Sequence, residues 1–226
     1  MKCSLTFLLI FFSTCILFSQ KKSVGFSAGM SQANLLFDHG LELNEEWRRL
    51  YDLAVVINFT YEFDQRNAIR AELAHEFKGS YFKHIYQYVD GQKYGPSSFS
   101  ALFQPIGSSS STGTRWYENK FRYVSIPVLY QYNLDRKGNY YFHIGPSVGY
   151  LVDHKDNYHY RFPEGFTRWD FSAIAGIGTC LPLRDRIAIQ INARTAYGLN
   201  SIKKDGDVTL KHLTFSGLVG FQYLLD

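Results

Sequence analysis

The sequence predicts an all-β chain: an eight-stranded antiparallel up-and-down transmembrane β-barrel, its apolar face outward and its lumen filled by small and polar side chains. Three observations lead there. Beyond residue 20 the hydrophobic period is two; the links between strands alternate strictly between short and long; and one face of every strand is apolar while the other is rich in Gly and Ser. At 226 residues the chain is sized for one domain. Apolar residues at 46% with charged residues at 19% exclude a disordered chain, and a net charge of +4 is too mild for a dedicated nucleic-acid binder.

The amino terminus comes first. Met1-Lys2 precedes the apolar run LTFLLIFFSTCILF and then Ser19-Gln20-Lys21-Lys22, the pattern of a cleavable secretory signal over 1–19, with a barrel domain over 20–226. The run, about 14 residues, is short of the roughly 20 a spanning helix needs. Cys15 lies in poor context for lipid attachment, so Cys180 is the single thiol of the mature chain and serves as a small packing residue. With the signal removed, no long apolar segment remains, and any membrane crossing must be made by strands.

The strands are expected at 23–33, 52–64, 67–78, 120–134, 139–152, 168–181, 186–199 and 210–225, with helical spacing competing only over 42–51. Short links fall at Gln65-Arg66, at Asp135-Arg136-Lys137-Gly138 and at 182–185; the links over 34–51, 79–119, 153–167 and 200–209 are long. That order suits a barrel in the outer membrane of a Gram-negative bacterium, short turns and both termini in the periplasm.

One face reads Val24, Phe26, Ala28, Met30, then Leu53, Val55, Ile57, Phe59, and so on to Val219. The other carries Gly25, Ser27, Gly29, Gly145, Ser147, Gly149, Ser172, Gly176 and Gly178, and among them Glu62, Arg70, Glu72, Glu76, His143, Gln190, Asn192 and Arg194. Water does not demand small side chains, whereas the interior of eight strands does, because it is only just wide enough to be filled. The small, polar face is therefore the lumen. Its charges must be paired, with Glu62 and Arg70 as expected cross-strand partners, and they form a plug rather than a pore. Tyr61, Phe63, Tyr130, Tyr132, Tyr140, Phe142, Phe221 and Tyr223 fall near the short turns, and Tyr150, Trp169 and Tyr197 near the opposite ends, as two aromatic girdles at the membrane interfaces.

The segments YVSIPVLYQYNL (123–134), YYFHIGPSVGYLVDHK (140–155), DFSAIAGIG (170–178), IQINARTAYGLNSI (189–202) and FSGLVGFQYLL (215–225) resemble, in that order, the PorT-like outer-membrane β-barrel family of Bacteroidota. The first strand, SVGFSAGMSQANL, is similar more loosely, and the chain ends Tyr223-Leu224-Leu225-Asp226 rather than on the aromatic common in such barrels. The resemblance implies location and architecture, with some members associated with protein export across the outer membrane; it carries over no catalytic residue.

No enzymatic constellation assembles from the sequence. His212 and Ser216, like His143 and Ser147, lie four residues apart on one strand, roughly 13 Å, which is beyond hydrogen-bond reach. An outer-membrane hydrolase or acyltransferase acting on lipid is the enzymatic alternative, and a soluble periplasmic barrel holding an apolar ligand is the third reading. Asp153-His154-Lys155-Asp156 through His159 does not match a metal-ligand spacing, and no metal or cofactor is expected. The expected partners are outer-membrane lipid, the barrel-assembly machinery during biogenesis, and a protein or glycan at the long loops; nucleic acid is not among them. GSSSSTGT (107–114) reads as flexible filler inside a long loop that is dense in rings, among them Tyr81, Phe82, Tyr86, Tyr88, Trp116 and Tyr117. That density predicts a hairpin continuing the third and fourth strands beyond the membrane.

Overall fold

The computed structural model describes residues 21–38, 47–89, 92–94, 110–156, 166–202 and 209–225. The expected signal segment and the second half of the 153–159 motif lie outside the described residues. Nine strands form one sheet: β1 (Lys21–Asp38), β2 (Trp47–Glu62), β3 (Asn67–Val89), β4 (Gln92–Tyr94), β5 (Ser110–Asn133), β6 (Tyr140–Asp156), β7 (Trp169–Arg184), β8 (Ile187–Gly198) and β9 (Thr209–Leu224). Every pairing is antiparallel. The order β2-β1-β9-β8-β7-β6-β5-β3 is closed on itself by the β2–β3 pairing, and β4 only edges the far end of β3. The result is a closed eight-stranded antiparallel barrel without a free edge within the wall.

Parity along each strand decides what meets the outside, since a one-residue slip would reverse every side chain. Phe26, Met30, Ile57, Leu73, Ile126, Ile144, Phe171, Ile177, Val219 and Phe221 stand exposed on the outer wall, while Ser27, Asn58, Arg70, Ser125, His143, Ser172, Asn192 and Ser216 are buried inside. An apolar belt outside and charges inside is the reverse of a soluble ligand-binding barrel, and that third reading is overturned. No helix among the described residues is long and apolar enough to cross a membrane.

Small residues on the inner face make room for large ones on neighbouring strands. A Cβ on Gly178 would run into the ring of Tyr141, its register partner on β6, and a Cβ on Gly176 would meet His143 Nε2 at 2.6 Å. The β5–β6 turn is a second place that needs glycine: Gly138 has a φ of +73° and donates its N–H to Asp135 O at 3.2 Å.

Several boundaries differ from expectation. The 42–51 stretch is not helical where it is described: β2 begins at Trp47, which pairs with Phe82. The sixth predicted strand does not stop at 181; β7 runs to Arg184 through an irregularity at Pro182, leaving a tight turn at Asp185-Arg186. Pro182 is tolerated at this irregularity, where a ladder donor is dispensable. The filler segment is strand from Ser110 onward, because β3 and β5 remain paired from Asn67↔Tyr132 out to Val89↔Ser110. The predicted hairpin extension is therefore present, with β4 folded onto its tip.

Candidate functional site

The interior is divided into two charged clusters. The first is a mesh strung between opposite walls. Arg70 Nε on β3 donates to Glu72 Oε1 at 2.6 Å, and Arg194 on β8 donates to Glu72 Oε2 and, at 2.5 Å, to Glu76 Oε1. β3 and β8 face each other across the barrel, so Arg194 ties diametrically opposed strands. Arg70 also reaches Tyr141 OH at 3.4 Å. With its amide turned so that the oxygen faces Arg70 Nη2 at 3.2 Å, Gln190 accepts from both Arg70 and the Tyr141 hydroxyl. Two arginines and two glutamates balance, and every charged group has an opposite partner, the condition under which buried ions persist.

Arg70 is not paired with Glu62, contrary to the sequence expectation. Their side chains share the inward face, but Arg70 lies opposite Thr60 and Glu62 opposite Ala68, one pleat apart. The nearer Glu72, two residues along on the same face, takes the guanidinium. Glu62 instead sits half-buried at the short-turn mouth, across from Lys21. His143 and Asn192 are buried at the level of this mesh, in register with Gly176 and Gly178 of β7, and no side-chain nitrogen or oxygen of either has a hydrogen-bond partner.

The second cluster lies toward the long loops and was missed by the sequence reading. Lys78 Nζ bonds Asp170 Oδ2 at 2.5 Å, and His212 Nε2 stands 4.0 Å from Asp170 Oδ1 and 3.5 Å from Tyr123 OH. Lys78 is also 5.1 Å from the Tyr123 ring centroid. Above it Leu35, Phe121, Tyr123, Ile202 and Leu210 form an apolar cap, with Leu151 and Phe166 packed against it. The signal was available: Lys78 shares the parity of Arg70, Glu72 and Glu76, and Asp170 that of Ser172, Gly176 and Gly178.

Neither Ser–His pair read from the sequence is in contact. His212 contacts Tyr123 and Asp170 rather than Ser216, and His143 does not bond Ser147. No group of three metal-ligating side chains occurs among the described residues. His154 of the 153–159 motif stacks on Phe121 at 4.5 Å and lies 2.9 Å from Asn119 Oδ1, serving the rim. Cys180 points inward and its thiol donates to Gln222 Oε1 at 2.9 Å.

The predicted rings occupy the outer wall. Toward the short turns Tyr132 and Phe142 are 5.5 Å apart and Tyr61 and Phe63 5.2 Å, with Tyr130, Tyr140, Phe221 and Tyr223 exposed beside them. Toward the long loops Tyr150 meets Trp169 edge-on at 5.1 Å, and Tyr197 stands under Lys211. Asp64, in the turn beyond the first band, accepts hydrogen bonds from the Asn67 side chain and the Arg66 and Asn67 backbone. These, the Asn67 side chain foremost, hold its carboxyl below the usual carboxylate range.

Among solved structures, the chain is similar to the outer membrane protein OprG from Pseudomonas aeruginosa at 12% identity, covering 91% of this chain and 97% of that one, with a TM-score of 0.50. It is also similar to Neisserial surface protein A, at 11% identity over 89% and 96% of the two chains and a TM-score of 0.43. The third is the Ail protein of Yersinia pestis, at 14% identity over 90% and 99% and a TM-score of 0.41. At such identities the likeness to OprG concerns the fold alone. No curated protein sequence matches the chain. Residues 18–204 match the outer membrane protein beta-barrel domain, and with the closed barrel and its apolar belt this identifies the chain as an outer-membrane β-barrel belonging to that family.

Proposed function

We propose that the protein is a non-enzymatic, plugged barrel whose wall anchors and whose long-loop hairpin binds. The observation that carries this is the tie across the lumen: Arg194 on β8 bonded to Glu72 and Glu76 on the opposite strand β3. A buried, charge-balanced mesh leaves no aqueous path at its level, and eight strands offer little bore to begin with. The two rings of aromatic side chains mark the interfaces, the short turns face the periplasm, and residues 1–19 direct export. Binding belongs to the β3–β5 extension, which rises past the barrel as paired strand and presents a surface for a protein or glycan partner. An accessory role in secretion, as in the PorT-like family, fits a barrel whose working parts are its loops.

Planar-bilayer conductance tests the plug. The wild-type protein is expected to be silent, and a Glu72→Gln, Glu76→Gln, Arg194→Gln variant that is still heat-modifiable on gels is expected to show channel activity. Stepwise conductance by the wild type would overturn the reading.

A further inference from the structure

The three short turns read Asp64-Gln65-Arg66, Asp135-Arg136-Lys137-Gly138 and Arg184-Asp185-Arg186, each mixing an acid with bases. In the first two the acid is turned back onto its own backbone. Asp64 Oδ1 accepts from Arg66 N at 2.7 Å and Asn67 N at 2.8 Å, and Asp135 Oδ1 accepts from Tyr140 N at 3.0 Å. The Arg66 guanidinium still acts on the Asp64 carboxylate through space, but its hydrogen bond goes to Tyr132. Lys22, Arg66, Arg136, Lys137 and Arg184 are all exposed, and among the described residues none of the five has an ion-pair partner.

At the opposite rim three cations are ion-paired, Lys120 with Asp52, Arg122 with Asp153 at 3.6 Å and Lys155 with Glu118 at 3.7 Å, while Arg168 donates to Tyr150 OH at 3.2 Å and Lys211 stands over the Tyr197 ring. The exposed cations of the short-turn rim also stand at a defined depth. Lys22 pairs in register with Tyr61, Arg66 Nη1 donates to Tyr132 OH at 3.0 Å, and Arg136-Lys137 are followed, after Gly138-Asn139, by Tyr140. Amphipathic rings settle at the edge of the hydrocarbon, so charges just beyond them lie among lipid phosphates. The four stations, at the start of β1 and at the β2–β3, β5–β6 and β7–β8 turns, are spaced around the whole circumference.

We propose that the short-turn rim is a phosphate-binding collar that selects anionic phospholipids in the leaflet it meets. This inference goes beyond the plugged-barrel reading and does not depend on it. Each basic residue near an anionic surface contributes about fivefold in affinity, and the effect fades as salt screens it.

Native mass spectrometry of the folded protein in micelles doped equally with dioleoylphosphatidylglycerol and dioleoylphosphatidylcholine tests the collar. The wild type is expected to retain the anionic lipid by at least about fivefold, the contribution of one basic residue. A variant carrying Lys22→Gln, Arg66→Gln, Arg136→Gln, Lys137→Gln and Arg184→Gln is expected to fall to parity. A control with Arg122→Gln, Lys155→Gln and Lys211→Gln, at the other rim, is expected to keep the preference. If the five-site variant does not fold, Arg136→Gln with Lys137→Gln and a salt titration of the wild type serve instead, both expected to erode the preference. Equal retention by the wild type, an unchanged preference after loss of the collar, or a loss seen only in the control would each overturn the proposal. So would retention of soluble anionic glycan fragments with no lipid preference, which would make the rim a cell-wall contact.

Discussion

The two charged clusters inside the barrel both set bases against acids, Arg with Glu in one and Lys with Asp in the other, and solve opposite problems. The mesh near the short turns balances two arginines with two glutamates, and a tyrosine and an amide take up further donors. The Lys78–Asp170–His212 cluster has one short ion pair and leaves Asp170 Oδ1 and His212 Nδ1 unbonded, with an apolar cap above. The difference teaches that polarity in this lumen has two uses. In the mesh, charge supplies the cross-wall connection itself. In the upper cluster, packing by Phe121, Tyr123, Leu35 and Leu210 closes the barrel, and the polar groups are carried beneath it.

The largest expected effect breaks the mesh. Arg194→Ala strands the buried Glu76 carboxylate and leaves Glu72 to Arg70 alone, and is expected to destabilise the barrel by about 3–5 kcal/mol, read as a lowered midpoint of denaturant unfolding in detergent. Replacing Arg70, Glu72, Glu76 and Arg194 together by Met and Leu is expected to recover most of that loss, because no charge is then left unpaired. If the quadruple variant is as unstable as the single one, the mesh does more than neutralise itself.

A second, smaller effect tests the packing that positions Tyr141. Gly178→Val forces a branched side chain against that ring and is expected to cost about 1–3 kcal/mol, whereas Gly217→Ala, on the outer wall with nothing within 4 Å of its added Cβ, is expected to be silent. The upper cluster should respond more mildly: His212→Phe gives up the long 3.5 Å contact of Nε2 with Tyr123 OH but also removes the unbonded buried Nδ1 and adds ring area, so a change within about 1 kcal/mol is expected by the same unfolding assay. A loss as large as that of Arg194→Ala would erase the distinction between the clusters.

The smallest effect lies at the rim. Asp64 is held below the usual carboxylate range, so its contribution is fully present above the unfolded value of 3.8 and is lost as pH falls through its lowered folded value. Amide exchange at Arg66 and Asn67 is expected to quicken across that acid window, and Asp64→Asn is expected to remove the pH dependence while leaving the global midpoint nearly unchanged.

Much of this was legible in residue order. The period of two, the alternation of link lengths and the Gly-Ser face together specify a barrel with apolar residues outward, because both faces of a strand are read by parity alone. Parity likewise placed Arg70, Glu72, Glu76, Gln190 and Arg194 on one surface. It did not say which acid meets which base: the choice of Glu72 over Glu62 for Arg70 depends on a pleat of register, and Arg194's reach to β3 depends on how the sheet closes. Lys78 and Asp170 were overlooked for the same reason, lying 92 residues apart and meeting only across the lumen. What the sequence by itself determined is therefore local and periodic: strand, face and the order of short and long links. What only the tertiary structure decided is pairing, since closure brings opposite walls within the length of one side chain, and distances across a lumen are not encoded in spacing along a strand.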